Sequence, residues 1–151
     1  MKNIRFSSIA VALLTLTVFV SACSETAGTP TSPSAGSGSL ALTSGQLTGT
    51  WTLTALQPAG QPSQASPATY TISFVDGRVS TRVDCNMCSG TLAVSGQTLT
   101  VGPNLACTRA ACPTMAFETL YTSILGGDHT VEVSGNTLVM SSARGRLAFT
   151  Q

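Results

Sequence analysis

From Thr50 to Gln151 polar and apolar residues alternate in short runs, the period of strands with one buried face. Thr50-Trp51-Thr52-Leu53-Thr54 turns Trp51 and Leu53 inward. Tyr70, Ile72 and Phe74 alternate with Thr71 and Ser73, and Asp76-Gly77 then marks a tight hairpin turn. On the return strand Val79, Thr81, Val83 and Cys85 share one face. Arg78, Ser80, Arg82 and Asp84 share the other, so Arg82 and Asp84 are expected to form a solvated ion pair. The stretch Thr91–Val101 is followed by a near copy at Thr130–Met140, with six of eleven positions identical. Both are expected to fold as hairpins about Ser-Gly-Gln and Ser-Gly-Asn. Similar hairpin chemistry used twice explains this better than duplication, and two copies do not make a repeat array.

Between the copies the period changes. Phe117, Leu120, Tyr121, Ile124 and Leu125 fall on one helical face; Pro113 suits the first helical position and Gly126-Gly127 the C-terminal cap. Arg144-Gly145 turns the chain into a last strand with Leu147 and Phe149 inward. Gln57 to Ala68, with Pro58, Gly60, Pro62 and Pro67, reads as a loop that edges or exits the sheet, either mobile or functional. About eight short strands and one helix joined by tight turns predict an α+β fold. The sheet would be mostly antiparallel and barrel-like, with the helix packed on it.

The N-terminal third departs from this pattern. Lys2 and Arg5 precede an apolar run from Ile9 to Val20, too short to be a good membrane span, and Val20-Ser21-Ala22-Cys23 follows. These four residues resemble a bacterial lipobox, which makes residues 1–22 a lipoprotein signal peptide and Cys23 a lipid-bearing N-terminus. Residues 24–46 are rich in Ser, Thr, Gly, Ala and Pro and carry one charge, Glu25, so they bury too little apolar surface to order themselves. They read as a tether of about 26 Å end to end. The sequence therefore divides into a signal (1–22), an anchored tether (23–46) and a folded domain (47–151). Beyond Cys23 five Arg face six acidic residues, a net charge of −1. That gives no footprint for nucleic acid, which is set aside as a partner.

Five cysteines less Cys23 leave Cys85, Cys88, Cys107 and Cys112, an even number suited to two disulfides in an oxidising compartment. Three connectivities are possible, and spacing does not choose among them.

Trp51-Thr52-Leu53, Cys85-Asn86 with Gly90, and Thr108-Arg109-Ala110-Ala111-Cys112-Pro113 with Met115 and Glu118 together resemble the META domain, the HslJ-like family of bacterial envelope proteins. The resemblance covers about Leu47 to Gln151. Asp84 stands where the family has Gly, Ala110 where it has Met, and no aromatic follows Gly90. The resemblance implies a family disulfide between Cys85 and Cys112, leaving Cys88 and Cys107 as additions paired with each other. It also implies a barrel-like domain found in envelope lipoproteins, some linked to heat shock or antibiotic stress. It brings no reaction, ligand or cofactor. Glu118 matches the family's helix Glu, and pairing with Arg109 at the helix start is its expected role.

The chemical inventory is thin. Cys85-Asn86-Met87-Cys88 could be a redox dithiol, but the motif ends a strand and lacks the helix N-terminus that acidifies such thiols. Zinc held by four cysteines is disfavoured in an oxidising compartment. His129 follows Gly-Gly-Asp and reads as a solvated turn residue. Asp76 serves a turn, and no Gly-x-Ser-x-Gly elbow is present. The leading expectation is a non-catalytic, lipid-anchored envelope module on the outer membrane that binds an envelope protein or supports the envelope under stress. The alternatives are a thiol–disulfide oxidoreductase using Cys85 and Cys88, and an inhibitor of a secreted hydrolase acting through the Gln57–Ala68 loop.

Overall fold

A computed structural model describes residues 41–151; the signal segment, Cys23 and the tether as far as residue 40 lie outside the described residues. Among the described residues there are ten strands. They are β1 (Thr50–Pro58), β2 (Gln64–Ala65), β3 (Tyr70–Val75), β4 (Arg78–Val83), β5 (Asn86–Ser95), β6 (Thr98–Val101), β7 (Ala106–Cys107), β8 (Gly127–Ser134), β9 (Thr137–Ser142) and β10 (Gly145–Thr150), with helix α1 (Met115–Leu125) between β7 and β8. Eight of them follow one another as an antiparallel meander, β1-β3-β4-β5-β6-β8-β9-β10, and pairing of β10 with β1 closes it into a barrel. The two short strands lie outside this circuit, β2 on β1 and β7 on β5.

Period-2 patterning is obeyed closely. Along β4 exposed and buried residues alternate without a break, and Trp51, Leu53, Ile72, Val79, Leu99, Val131, Leu147 and Phe149 all point into one core. Eight strands enclose an interior about wide enough for side chains to fill, and these fill it. Each fully buried large side chain contributes roughly 1.5–3 kcal/mol. The hairpin turns are chosen by residue type. Asp76 and Gly77 both have positive φ (47° and 71°), as a type I′ turn demands. Gly96 and Gly135 take positive φ at the first turn position of the two near-identical hairpins, Ser95↔Thr98 and Ser134↔Thr137.

Helix α1 closes one end of the barrel. Tyr121, Ile124 and Leu125 are buried, with Phe117 and Leu120 half-buried beside them. Tyr70 meets Phe117 and Tyr121 edge to face at 5.1 and 5.4 Å. The Thr81 hydroxyl donates to the Thr71 carbonyl (2.7 Å), so the Tyr121 hydroxyl must donate to Thr81 Oγ1 (2.9 Å). Burial raises the pKa of Tyr121, and that of Tyr70 as well.

The structure corrects several expectations. The fold starts before Leu47: Ser44–Leu47 forms a 3-10 turn, Leu42 packs on the core and donates its N–H to the Gly96 carbonyl, and the Trp51 indole donates to the Leu47 carbonyl. The Gln57–Ala68 segment is partly sheet. Gln57 and Pro58 belong to β1, Gln64 and Ala65 pair back onto it, and Ala68 packs against the core. Helix α1 begins at Met115 with Thr114 as N-cap, leaving Pro113 outside the helix. β4 ends at Val83, so Cys85 is exposed in a turn, and Cys88 lies in a strand rather than beyond one. Asp84 leaves the sheet at φ 56°, a left-handed conformation that Asp tolerates. Arg82 therefore donates to the Asp84 backbone carbonyl (3.0 Å), and the Asp84 carboxylate accepts from the Thr114 hydroxyl (2.8 Å) and N–H (3.3 Å). His129 is no turn residue; it is a buried member of β8.

Candidate functional site

At the helix-closed end the chain between β6 and α1 is drawn over the start of β5 and fixed there by two disulfides and one amide. Cys85 is bonded to Cys112 and Cys88 to Cys107, a nested arrangement with sequence separations of 27 and 19 residues. Cys88 and Cys107 face each other directly across the β5–β7 pair. Cys85 and Cys88 are therefore bonded to different partners and do not form a Cys-x-x-Cys dithiol pair.

Asn86, the first residue of β5, is buried between these bridges. Its Oδ1 accepts from the Ala110 N–H (2.8 Å) and the Thr108 hydroxyl (2.9 Å). Its Nδ2 donates to both Glu118 oxygens (3.0 and 3.3 Å) and the Ala110 carbonyl (3.1 Å), and lies 3.2 Å from Cys112 Sγ. Thr108 and Met87 complete the clasp: the Thr108 N–H donates to the Met87 carbonyl, and the Met87 N–H donates to Thr108 Oγ1, each at 3.0 Å. Only an amide can accept from two donors at one atom while donating from its neighbour to a carboxylate and a carbonyl. Glu118 thus takes its hydrogen bonds from Asn86 rather than from the expected Arg109, and α1 is held to β5 through a neutral group. Gly90, further along β5, leaves room for Leu105: a Cβ there would lie 2.8 Å from that side chain.

A second polar chain runs beside the first. The Thr114 hydroxyl spends its hydrogen on Asp84, so the Tyr70 hydroxyl donates to Thr114 Oγ1 (2.8 Å). Sequence reasoning missed this relay from Tyr70 through Thr114 to Asp84. The only signal for it was the Asp standing where the family has Gly.

Around the clasp lies an open cleft of about 360 Å³, lined by Asn86, Thr108, Arg109, Ala110, Met115 and Glu118. Arg109 and Met115 are exposed on its rim. Of the residues singled out from sequence, Cys85, Asn86, Cys88, Cys107, Thr108, Arg109, Cys112 and Glu118 gather here. Gly90 borders the group through Leu105, while Trp51 is in the barrel core. Cys23 lies outside the described residues. A depression of about 450 Å³ elsewhere is bordered by Thr98, Asp128, Thr130 and Ser141, and the neighbouring His129 is only 1% exposed. The His129 Nε2–H donates to the Leu125 carbonyl (2.8 Å), leaving Nδ1 buried without a partner. Burial lowers the ring's pKa. Among the described residues no three His, Cys, Asp or Glu side chains converge as a metal-binding group.

These features define a class: a small closed antiparallel barrel, filled by its own side chains, capped by one helix and carrying a stapled loop beside the cap. The chain belongs to the META domain family, whose pattern matches residues 42–151. It is similar in fold to a protein from Burkholderia xenovorans solved by NMR (23% identity, 71% of this chain and 84% of that one, TM-score 0.59). A second protein solved by NMR is alike (24% identity, 72% and 94%, TM-score 0.55). So is the crystal structure of a lipocalin-like protein from Bacteroides uniformis (17% identity, 70% and 98%, TM-score 0.52). No curated protein matches the chain.

Proposed function

We propose that this protein is a lipid-anchored envelope module that binds another envelope protein without catalysing a reaction, and that the stapled loop is its recognition surface. The observation that carries this reading is the buried Asn86 clasp. It fixes the backbone of residues 108–110 while Arg109 and Met115 stay exposed on the cleft rim. A preorganised loop with an Arg and an apolar side chain outward loses little entropy on binding. The barrel interior, by contrast, is occupied by Trp51, Tyr70, Tyr121 and Phe149. Three titratable groups are engaged structurally: Glu118 on Asn86, Asp84 on Thr114, and His129 within the core. Val20-Ser21-Ala22-Cys23 supports anchoring through Cys23.

Site-specific photo-crosslinking in the full chain tests the binding surface. A crosslinker at position 109 or 115 should capture a discrete envelope protein that the same crosslinker at Glu132, on an outer strand face, does not, and Arg109→Glu should reduce capture at 115 at least about fivefold. Equal capture from all three positions overturns this reading. For the anchor, mass spectrometry should find an acylated Cys23, and Cys23→Ser should move the protein out of the membrane fraction.

A further inference from the structure

The two disulfides differ in how an external thiol can reach them. Cys88 is 1% exposed and Cys107 half-buried, a strand pair packed against the barrel core. Cys85 is exposed in the turn between β4 and β5, whereas its partner Cys112 is only 7% exposed. The Asn86 amide lies 3.2 Å from Cys112 Sγ, and α1 starts three residues beyond it. The amide donor favours negative charge at that sulfur, while the Glu118 carboxylate on the same amide and the Ala110 carbonyl, 3.5 Å from Sγ, oppose it, so access decides which sulfur is attacked. An exposed sulfur at one end of the bond and a buried one at the other give thiol–disulfide exchange its direction, and the second bond has no comparably exposed end.

We propose that Cys85–Cys112 is a reductively switchable bond, opened by a protein dithiol of the Cys-x-x-Cys class, while Cys88–Cys107 remains closed as the structural staple. The incoming thiolate attacks Cys85 Sγ, and the bond breaks with its electron pair going to Cys112 Sγ. The partner's second thiol then attacks the mixed disulfide and frees Cys85. Two electrons pass from the dithiol to this chain, and the protons released by the two incoming thiols are taken up at Cys85 and Cys112. Reduction removes one of the covalent ties on the loop that carries Arg109 and leaves it held by Cys107 and by Asn86. The exchange chemistry stands by itself; its effect on binding rests on reading this loop as the recognition surface.

The test uses the oxidised full chain, dithiothreitol as probe, and pulsed alkylation mapped by mass spectrometry, with near-UV circular dichroism followed in parallel. Cys85 and Cys112 should become alkylated at least about tenfold faster than Cys88 and Cys107 while the near-UV signal of Trp51 persists. Equal rates, the opposite order, or thiols that appear only as that signal is lost overturn the proposal. A Cys-x-x-Ser variant of a thioredoxin-type protein should be trapped on Cys85; trapping on any other cysteine overturns it. If the selective reduction occurs but capture at position 115 is the same for oxidised and reduced protein, the switch stands and the binding surface is wrong.

Discussion

At the residue scale, two buried polar side chains have opposite situations. Asn86 has every hydrogen-bonding atom engaged, and losing it would leave the Ala110 N–H, its carbonyl and the Glu118 carboxylate without their partner. Asn86→Ala should cost about 2 kcal/mol, from the hydrogen bonds lost, among them those to a carboxylate, read as a lower urea midpoint at unchanged slope. His129 has one ring nitrogen satisfied and the other bare. Protonating it would place an unpartnered N–H in the core, so the folded ring binds its proton below the ordinary value of 6.5. The unfolded chain takes up that proton first. The stability contributed by the neutral ring is therefore complete above about pH 6.5 and is lost as pH falls through the lowered folded value. Thermal melts should show a midpoint falling across this window, and His129→Gln should flatten that dependence.

At the scale of elements, the meander is a string of local hairpins and only one pairing joins its ends. In that seam Gly145 sits opposite Pro58 at φ 149°, and an added Cβ would meet the carbonyl oxygen of Gln57 and lie 3.0 Å from the Pro58 Cα. Because backbone cannot yield as a side-chain tip does, Gly145→Ala should cost at least about 2 kcal/mol. Amide exchange should locate the damage, with β1 and β10 losing protection before β3 and β4. The main barrel strands, the hairpin turns and the helix face were legible from period and turn residues, whereas the short strands β2 and β7 and the place of His129 in β8 were not. The exit from β4 was not. Alternation predicts Asp84 and Cys85 as two more strand residues, but the contact that turns Asp84 out of the sheet comes from Thr114, thirty residues away.

For the whole molecule, closure and stapling set the stability. Loop closure in the unfolded chain makes each disulfide worth about 3 kcal/mol. Replacing Cys88 and Cys107 together by Ala should lower stability by about that much and loosen β7 from β5. The chain's two tyrosines report on the helix-closed end. Desolvation raises both pKa values, so the folded state resists ionising them, and stability is lost as pH climbs beyond about 10. In an absorbance titration, tyrosinate should appear in step with unfolding rather than at the ordinary value of 10; a prior, reversible titration of both phenols would contradict the packing of α1.

What the sequence by itself determined is what local rules govern. Side-chain alternation names the inward residues, Asp-Gly and Ser-Gly pairs fix the hairpins, and an even number of cysteines in the domain predicts two bridges. Their order Cys-Asn…Thr-Arg…Cys marks the family. Only the tertiary structure decided which groups meet across large separations. It closed β10 on β1, drew residues 42–47 and 64–65 into the fold, and gave Glu118 to Asn86 instead of Arg109. It also buried a histidine whose neighbours in sequence are polar. A partner brought near by folding offers more than one local option, and the winner is the one that leaves the fewest buried polar groups unsatisfied. That sum runs over the whole barrel, so no window of sequence contains it.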